Sequence, residues 1–369
     1  MRSSRLAIVV MTGSLAVGAI VGSDPAPAVA GGPNEPIVAD LNLDGRPDMA
    51  ELDASQGGST DCVVLVRLGA PGGGLLPPTR HTYLVLPSDS PCPDLGVAVD
   101  MFDAPETDLV VGWFAGRPPG VDFDLLLLRN YTVTDGFEAI FQPSFIGRAD
   151  FNGDGRPDVY EWTDQGEGFA TYLNTGTGKL VPGPVKYCSG PLQYRLADFN
   201  RNGAMDVAIA YIEGCGTYFS GVVVVLDDGT QVDLQGDVAG VESWNLEVID
   251  ANGDGIPDVT TYAQIGGQVT TFIGVGNGTF VRAPVAIRDT YPVSGVKTTG
   301  LRVLANDYAT TRAKVTIWTP PRYGTVKVTT NGVINYTPNP VHGHTDRFVY
   351  RITDEGRTSN AAVSLTLVG

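Results

Sequence analysis

The 369-residue sequence has only three histidines and four cysteines. So few histidines leave little material for general-base catalysis or a nitrogen-ligated metal centre. His81, His342 and His344 form no H-E-x-x-H arrangement, and neither a G-x-S-x-G motif nor a phosphate-cradling glycine loop occurs. Beyond residue 30 no apolar run reaches the ~20 residues that span a bilayer. No long segment carries the hydrophobic period of a helix. Positive charge is scarce too, with 24 Lys and Arg against 41 Asp and Glu. That balance argues against binding nucleic acid or anionic lipid.

What is present begins with an address. Arg2 and Arg5 precede an apolar run from Leu6 to Gly22, and Ala28-Val29-Ala30 offers small residues for cleavage. This is the layout of a secretory signal peptide, with cleavage expected after Ala30 and export from the cytoplasm. No cysteine stands near that point to carry a lipid. In an exported chain, an even number of cysteines suggests disulfides. Sequence proximity favours Cys62–Cys92 and Cys188–Cys215 among the three possible pairings. A zinc site is disfavoured, because there is no C-x-x-C pair and no neighbouring histidine.

Charge divides the remainder. Residues 31–285 hold 12 basic and 35 acidic residues, a net of 12 − 35 = −23; residues 286–369 hold 10 and 5, a net of 10 − 5 = +5. The change of sign places a domain boundary near Ala286. The expected organisation is a signal peptide over 1–30, an acidic domain over 31–285 and a basic domain over 286–369.

The acidic domain repeats one nine-residue pattern, Asp-x-Asn-x-Asp-Gly-x-x-Asp. It occurs at Asp40-Asn42-Asp44-Gly45-Asp48, at Asp150-Asn152-Asp154-Gly155-Asp158 and at Asp250-Asn252-Asp254-Gly255-Asp258. A softened copy is Asp198-Asn200-Asn202-Gly203-Asp206. A decayed copy runs from Asp100 to Asp108, with Phe102 and Ala104 where oxygen ligands would stand. Calcium takes six to eight oxygens at ~2.3–2.6 Å. Positions 1, 3, 5 and 9 offer side-chain oxygens, and glycine at position 6 permits the left-handed turn around an ion. The carbonyl of position 7 is the remaining candidate, from Arg46, Arg156, Ala204 or Ile256. Pro47, Pro157 and Pro257 at position 8 restrict that residue to extended geometry. Asp-Gly also marks ordinary hairpin turns, but a pattern recurring about every 50 residues favours Ca2+ sites.

Strand-like runs flank each loop, as in Val259–Tyr262 and Val269–Ile273, followed by the glycine-rich turn Gly274–Phe280. The unit reads as four strands with the loop between the first two, which suits a propeller blade. The loops, with the Gly276–Phe280 turn, resemble the FG-GAP/VCBS repeat family, whose members also build the calcium-binding propeller of integrin α subunits. The resemblance covers about residues 34–285. It implies an all-β propeller, with loop positions 1, 3, 5 and 9 as calcium ligands and no metal in the Asp100 copy. Five units are counted where family propellers commonly have seven blades, and a closed five-bladed ring of four-stranded blades is the favoured expectation. In that ring all four cysteines fall on the face away from calcium.

The basic segment carries Val303-Leu-Ala-Asn-Asp307, Ile334-Asn-Tyr-Thr-Pro338 and Phe348-Val-Tyr-Arg-Ile-Thr-Asp354, with Phe348, Tyr350 and Ile352 alternating with Arg347, Val349 and Arg351. It is similar to bacterial cadherin-like or Ig-like repeats, which implies a β-sandwich. No metal site is carried over to Asp307, since Tyr308–Arg312 follows it. No catalytic constellation emerges. Glu51, Glu161, Asp164 and Glu213 near the ends of second strands read as solvated or turn charge. Trp113, Trp162, Tyr211 and Tyr262 end the same strands and read as packing between sheets. The expected function is secreted or cell-surface recognition or adhesion, binding an extracellular protein or glycan. A structural calcium-stiffened module is the first alternative, and an enzyme acting on polysaccharide is the second.

Overall fold

A computed structural model describes residues 32–53, 61–86, 90–102, 107–114, 116–140, 142–163, 168–213, 219–341 and 343–368. The expected signal peptide, Asp164, Cys215 and His342 lie outside the described residues. So do residues 103–106, within the decayed loop. Among the described residues no helix is long and apolar enough to cross a membrane.

Twenty strands of the acidic domain form five antiparallel four-stranded sheets in chain order. The first holds β1 (Ile37–Ala39), β2 (Asp48–Asp53), β3 (Cys62–Arg67) and β4 (Thr79–Tyr83). The second holds β5 (Leu95–Val99), β6 (Asp108–Gly112), β7 (Leu125–Arg129) and β8 (Thr132–Phe137). β9 (Phe145–Ala149), β10 (Asp158–Thr163), β11 (Gly168–Asn174) and β12 (Leu180–Tyr187) make the third. β13 (Gly190–Ala197), β14 (Asp206–Ile212), β15 (Ser220–Val225) and β16 (Gln231–Asp237) make the fourth. The fifth comprises β17 (Trp244–Ile249), β18 (Asp258–Ala263), β19 (Val269–Gly274) and β20 (Phe280–Arg282). Every repeat loop joins the first strand of a sheet to the second, and position 9 is the first residue of that second strand. Central strands such as β6 and β15 are buried along their whole length, which suits their unbroken apolar sequences.

The core lies between sheets. Ala50, Val64 and Val66 of the first sheet pack against Ala98, Leu109 and Val111 of the second. Val97 and Leu127 meet Ile146 and Val159. Tyr160 and Phe169 meet Val207 and Val223, and Val222 and Val224 meet Leu246 and Val259. Glycine turns allow the close approach: a Cβ at Gly178 would stand 2.1 Å from the Phe102 ring, and one at Gly278 would stand 2.5 Å from Leu226. Both have positive φ.

The closed five-bladed ring is not seen. Among the described residues no core cluster joins the fifth sheet to the first. The outward side of the first sheet mixes Val38, Met49 and Leu65 with Glu51 and Arg67, which pair at 3.6 Å. The fifth sheet instead packs Ala251, Ile273 and Ala283 against Tyr308 of the C-terminal domain.

The C-terminal domain is a two-layer sandwich. One sheet runs β21 (Asp289–Ser294), β27 (Arg357–Val368), β26 (Thr345–Asp354) and β23 (Lys314–Thr319). The other runs β22 (Thr299–Leu301), β25 (Ile334–Pro338) and β24 (Gly324–Val328). β21 pairs with β27 in parallel, and the other pairs are antiparallel. Leu301, Ile334, Tyr336, Phe348, Tyr350, Ile352 and Val363 fill the space between the layers. The alternation read from Phe348 to Ile352 is borne out.

Cys62 and Cys92 are disulfide-bonded, tying the start of β3 to the segment that leads into β5. Because Cys215 is outside the described residues, the second expected pairing is not described.

Candidate functional site

Four loops share one hydrogen-bonding scheme. In the first, the Asp40 carboxylate accepts the backbone N–H groups of Asp44 at 2.9 Å and Gly45 at 2.7 Å. Asn42 Oδ1 accepts from Asp44 at 3.1 Å, and Asp44 Oδ1 accepts from Arg46 at 3.0 Å. The second complete loop matches it. Asp150 accepts from Asn152, Gly153 and Gly155, Asn152 from Asp154, and Asp154 from Arg156. Asp198 accepts from Asn202 and Gly203, Asn200 from Asn202, and Asn202 from Ala204. Asp250 accepts from Gly253, Asp254 and Gly255, Asn252 from Asp254, and Asp254 from Ile256. Side-chain oxygens of positions 1, 3 and 5 are thereby held over the loop's own backbone. Gly45, Gly155, Gly203 and Gly255 all have φ between 80° and 92°, the left-handed turn expected at position 6.

Position 9 behaves differently. Asp48, Asp158, Asp206 and Asp258 are fully buried. One oxygen of each accepts the N–H of position 2: Leu41, Phe151, Phe199 or Ala251. The other accepts an N–H at or just beyond the end of the third strand, from Gly69, Asn174, Asp227 or Gly274, at 2.7–2.8 Å. Each therefore bolts its loop to the third strand of the same sheet. The decayed loop keeps the first half of this arrangement, with Met101 N–H donating to Asp108 at 3.3 Å and Asp108 1% exposed. A loop that has lost ligand residues but retains its ninth aspartate shows that this aspartate has a structural role of its own. The third-strand partners were missed in the sequence, where only their separations of 21, 16, 21 and 16 residues from position 9 mark them.

Burial drives the Asp158 and Asp258 carboxyls up to about 6 and that of Asp206 to about 7. The negative charge of Asp150 and Asp154 adds to the rise at Asp158, as do Asp254 and Asp250 at Asp258. An all-oxygen donor set under mutual repulsion fits a hard divalent cation. Among the described residues no group of three or more His, Cys, Asp or Glu side chains is already gathered into a metal cage. The loop carboxylates are engaged with backbone N–H groups, and Asp44 and Asp154 pair with Arg46 and Arg156.

The Asp198 loop has a feature its nine residues do not reveal. Asp227 Oδ1 accepts the side-chain amides of Asn200 at 2.7 Å and Asn202 at 2.9 Å. Asp227 stands where the other sheets have Gly69, Asn174 and Gly274. It brings back beside the loop the negative charge missing at Asn202.

Among the described residues, the carboxylates considered for catalysis, Glu51, Glu161 and Glu213, lie in or beside three different sheets. Glu161, expected to be solvated or turn charge, is fully buried and accepts the Ile140 N–H at 2.9 Å. Its strand runs through the interior, so a polar residue there faces neighbours and not solvent. Glu51 pairs with Arg67, and Glu213 is exposed at the end of β14. Trp113 is 4% exposed in the first inter-sheet core, and Trp162 stacks on Phe145 and meets Tyr194 edge-on. Tyr211 packs on Tyr187, whereas Tyr262 donates to Glu247 at 2.7 Å. Packing was the expected role of these aromatics, and the first three have it.

Residues 150–209, spanning the third sheet from its loop and the first two strands of the fourth, match the FG-GAP-like repeat. Residues 282–366 match the bacterial Ig domain. The chain thus carries an FG-GAP-like repeat and a C-terminal Ig domain. A comparison with curated proteins finds no match.

Proposed function

We propose that this chain is an exported calcium-binding recognition or adhesion protein whose FG-GAP-like sheets engage an extracellular protein or glycan. The observation that carries the reading is the repetition of one loop geometry at Asp40, Asp150, Asp198 and Asp250, each presenting oxygens at positions 1, 3 and 5. Calcium is the ion, held through those side chains and the position-7 carbonyls, with the ninth aspartate closing the shell from its buried anchorage. The five sheets are blades of propeller type. The Cys62–Cys92 bond and the N-terminal signal-like segment support export to an oxidising compartment. Burial of Glu161 and the scatter of the other carboxylates favour binding over catalysis.

The test is an array of glycans and extracellular proteins probed with the full chain in calcium and in chelator. Reproducible hits that vanish in chelator support calcium-dependent recognition. Hits unaffected by chelator, or an array silent in both conditions, count against it.

A further inference from the structure

The C-terminal domain sorts its charges by direction. Of its five acidic residues, Asp289, Asp346 and Asp354 are buried. Asp307 accepts the Tyr350 hydroxyl and the Ile287 N–H, and Glu355 is held in the junction with the fifth sheet. Along β26 the alternation is strict: Asp346, Phe348, Tyr350, Ile352 and Asp354 turn inward, and Arg347, Val349 and Arg351 turn outward. The outward side of β23 adds Lys314, Thr316 and Trp318, all exposed. No acidic residue points out from this sheet among its described strands.

Trp318 is the distinctive member. The register of β23 on β26 slips between Ile317 and Thr319, leaving Trp318 as the extra residue of a bulge. Bulges re-aim side chains and are common beside functional surfaces. The Arg351 guanidinium lies over the indole, 3.4 Å from its centroid, and is oriented by a 2.9 Å bond from Nε to Asn360 Oδ1. Trp318 nevertheless remains 55% exposed. The outward face thus sets a large, half-exposed aromatic beside the Arg351 cation, and the same face carries Lys314, Arg347 and the hydroxyls of Thr316 and Ser364.

We propose that the outward face of the β21–β27–β26–β23 sheet binds a carboxylated polysaccharide strand. Trp318 stacks on a sugar ring, Arg347, Arg351 and Lys314 pair with its carboxylates, and the threonine and serine hydroxyls meet sugar hydroxyls. Arg347 and Arg351 are four residues apart on one strand, roughly 13 Å, a span that suits successive charges on an extended polymer and not one small anion. The argument for this partner is charge complementarity: the face is wholly basic and the domain's net charge is 10 − 5 = +5. The inference does not rest on the calcium reading, because no repeat loop takes part.

The test is affinity electrophoresis of the full chain through gels containing polygalacturonate, neutral dextran or inorganic polyphosphate, all in chelator. The expected result is retardation by polygalacturonate alone or most strongly, weakened by salt. Trp318→Ala and the pair Arg347→Gln/Arg351→Gln should each weaken it by about tenfold. Lys327→Gln, on the other sheet, should leave it unchanged, with melting temperatures confirming that all variants fold. Absence of retardation would overturn the proposal. So would equal retardation by polyphosphate with no effect of Trp318→Ala, which would reduce the face to an ion exchanger. A concentration-dependent dimer in sedimentation, abolished by the arginine pair without polysaccharide, would reassign the face to the acidic body of a second copy.

Discussion

The carboxylate of Glu355 accepts both the backbone N–H of Thr271 at 2.8 Å and its hydroxyl at 2.6 Å, joining residues 84 positions apart. Glu355 occupies the turn between β26 and β27, so this hairpin tip is seated on the fifth sheet. Arg357 reaches the Thr270 hydroxyl and the Ala283 carbonyl beside it, and Thr311 N–H donates to Ala251 O in the Asp250 loop. In the third sheet, Asp150 O receives the N–H of Met205 from the following loop. The bond from the Ig domain to the Asp250 loop thus parallels the bond between successive repeat loops.

Glu355→Ala should loosen this junction. Hydrogen bonds to a charged group contribute about 1.5–3 kcal/mol each, and removal takes the acceptor from the buried Thr271 N–H, while its hydroxyl keeps Thr260. Limited proteolysis should show faster cleavage across 282–289 in the variant, while the separate interiors of both domains keep their amide protection. Unchanged cleavage would show that the Tyr308 contact, Arg357 and the Thr311–Ala251 bond hold the domains without Glu355.

The ninth aspartates separate structure from ion binding. Asp258→Ala should destabilise the fifth sheet by about 2 kcal/mol even in chelator, since the N–H groups of Ala251 and Gly274 lose their acceptors. Asp108→Ala should behave similarly in the second sheet without altering calcium stoichiometry. Asp254→Asn should reduce calcium affinity at its own loop with little effect on melting in chelator. Thermal melts of the three variants with and without calcium distinguish these outcomes.

On its own nine residues, with Asn202 in place of an aspartate and Met205 in place of proline, the Asp198 loop would be the weakest calcium site. With Asp227 beside Asn200 and Asn202, its affinity should approach that of the other loops. Asp227→Asn should lower it by about tenfold, an effect of one charge in such a site. Terbium luminescence titration measures the change, and indifference to the substitution would leave Asp227 as an amide anchor only.

In the Ig domain, burial and the nearby Asp307 raise the Asp289 carboxyl to about 6. A carboxyl whose value is higher in the fold than in the unfolded chain holds its proton longer when folded. Its contribution to stability therefore falls as pH rises from about 4 through 6 and is flat above that. Hydrogen exchange of the β21 and β26 amides should show protection decreasing across that window. Asp289→Asn should flatten the slope, and an identical slope in the variant would place its origin elsewhere.

Much of this architecture was legible from the residues. The Asp-x-Asn-x-Asp-Gly pattern marked three first-to-second strand connections and its softened and decayed copies marked the other two, while the alternation around Tyr350 marked the sandwich. Ring closure was not legible, because it depends on what faces the outer sheets. Glu51 with Arg67 at one end and Thr271 with Glu355 at the other are contacts made after folding, across distances that local periodicity does not encode. Asp227 escaped for the same reason: it lies 21 residues from Asp206, and only the pairing of β14 with β15 brings it to the loop. Glu161 looked like solvated charge because position near a strand end says nothing of which neighbour covers it.

The account rests most heavily on calcium in the repeat loops, and calorimetric titration of the chelator-treated full chain tests that directly. The expected result is up to four calcium ions per chain, a higher melting temperature in calcium, and no ion at Asp100–Asp108. Absence of binding heat with identical melting curves in calcium and chelator would contradict it.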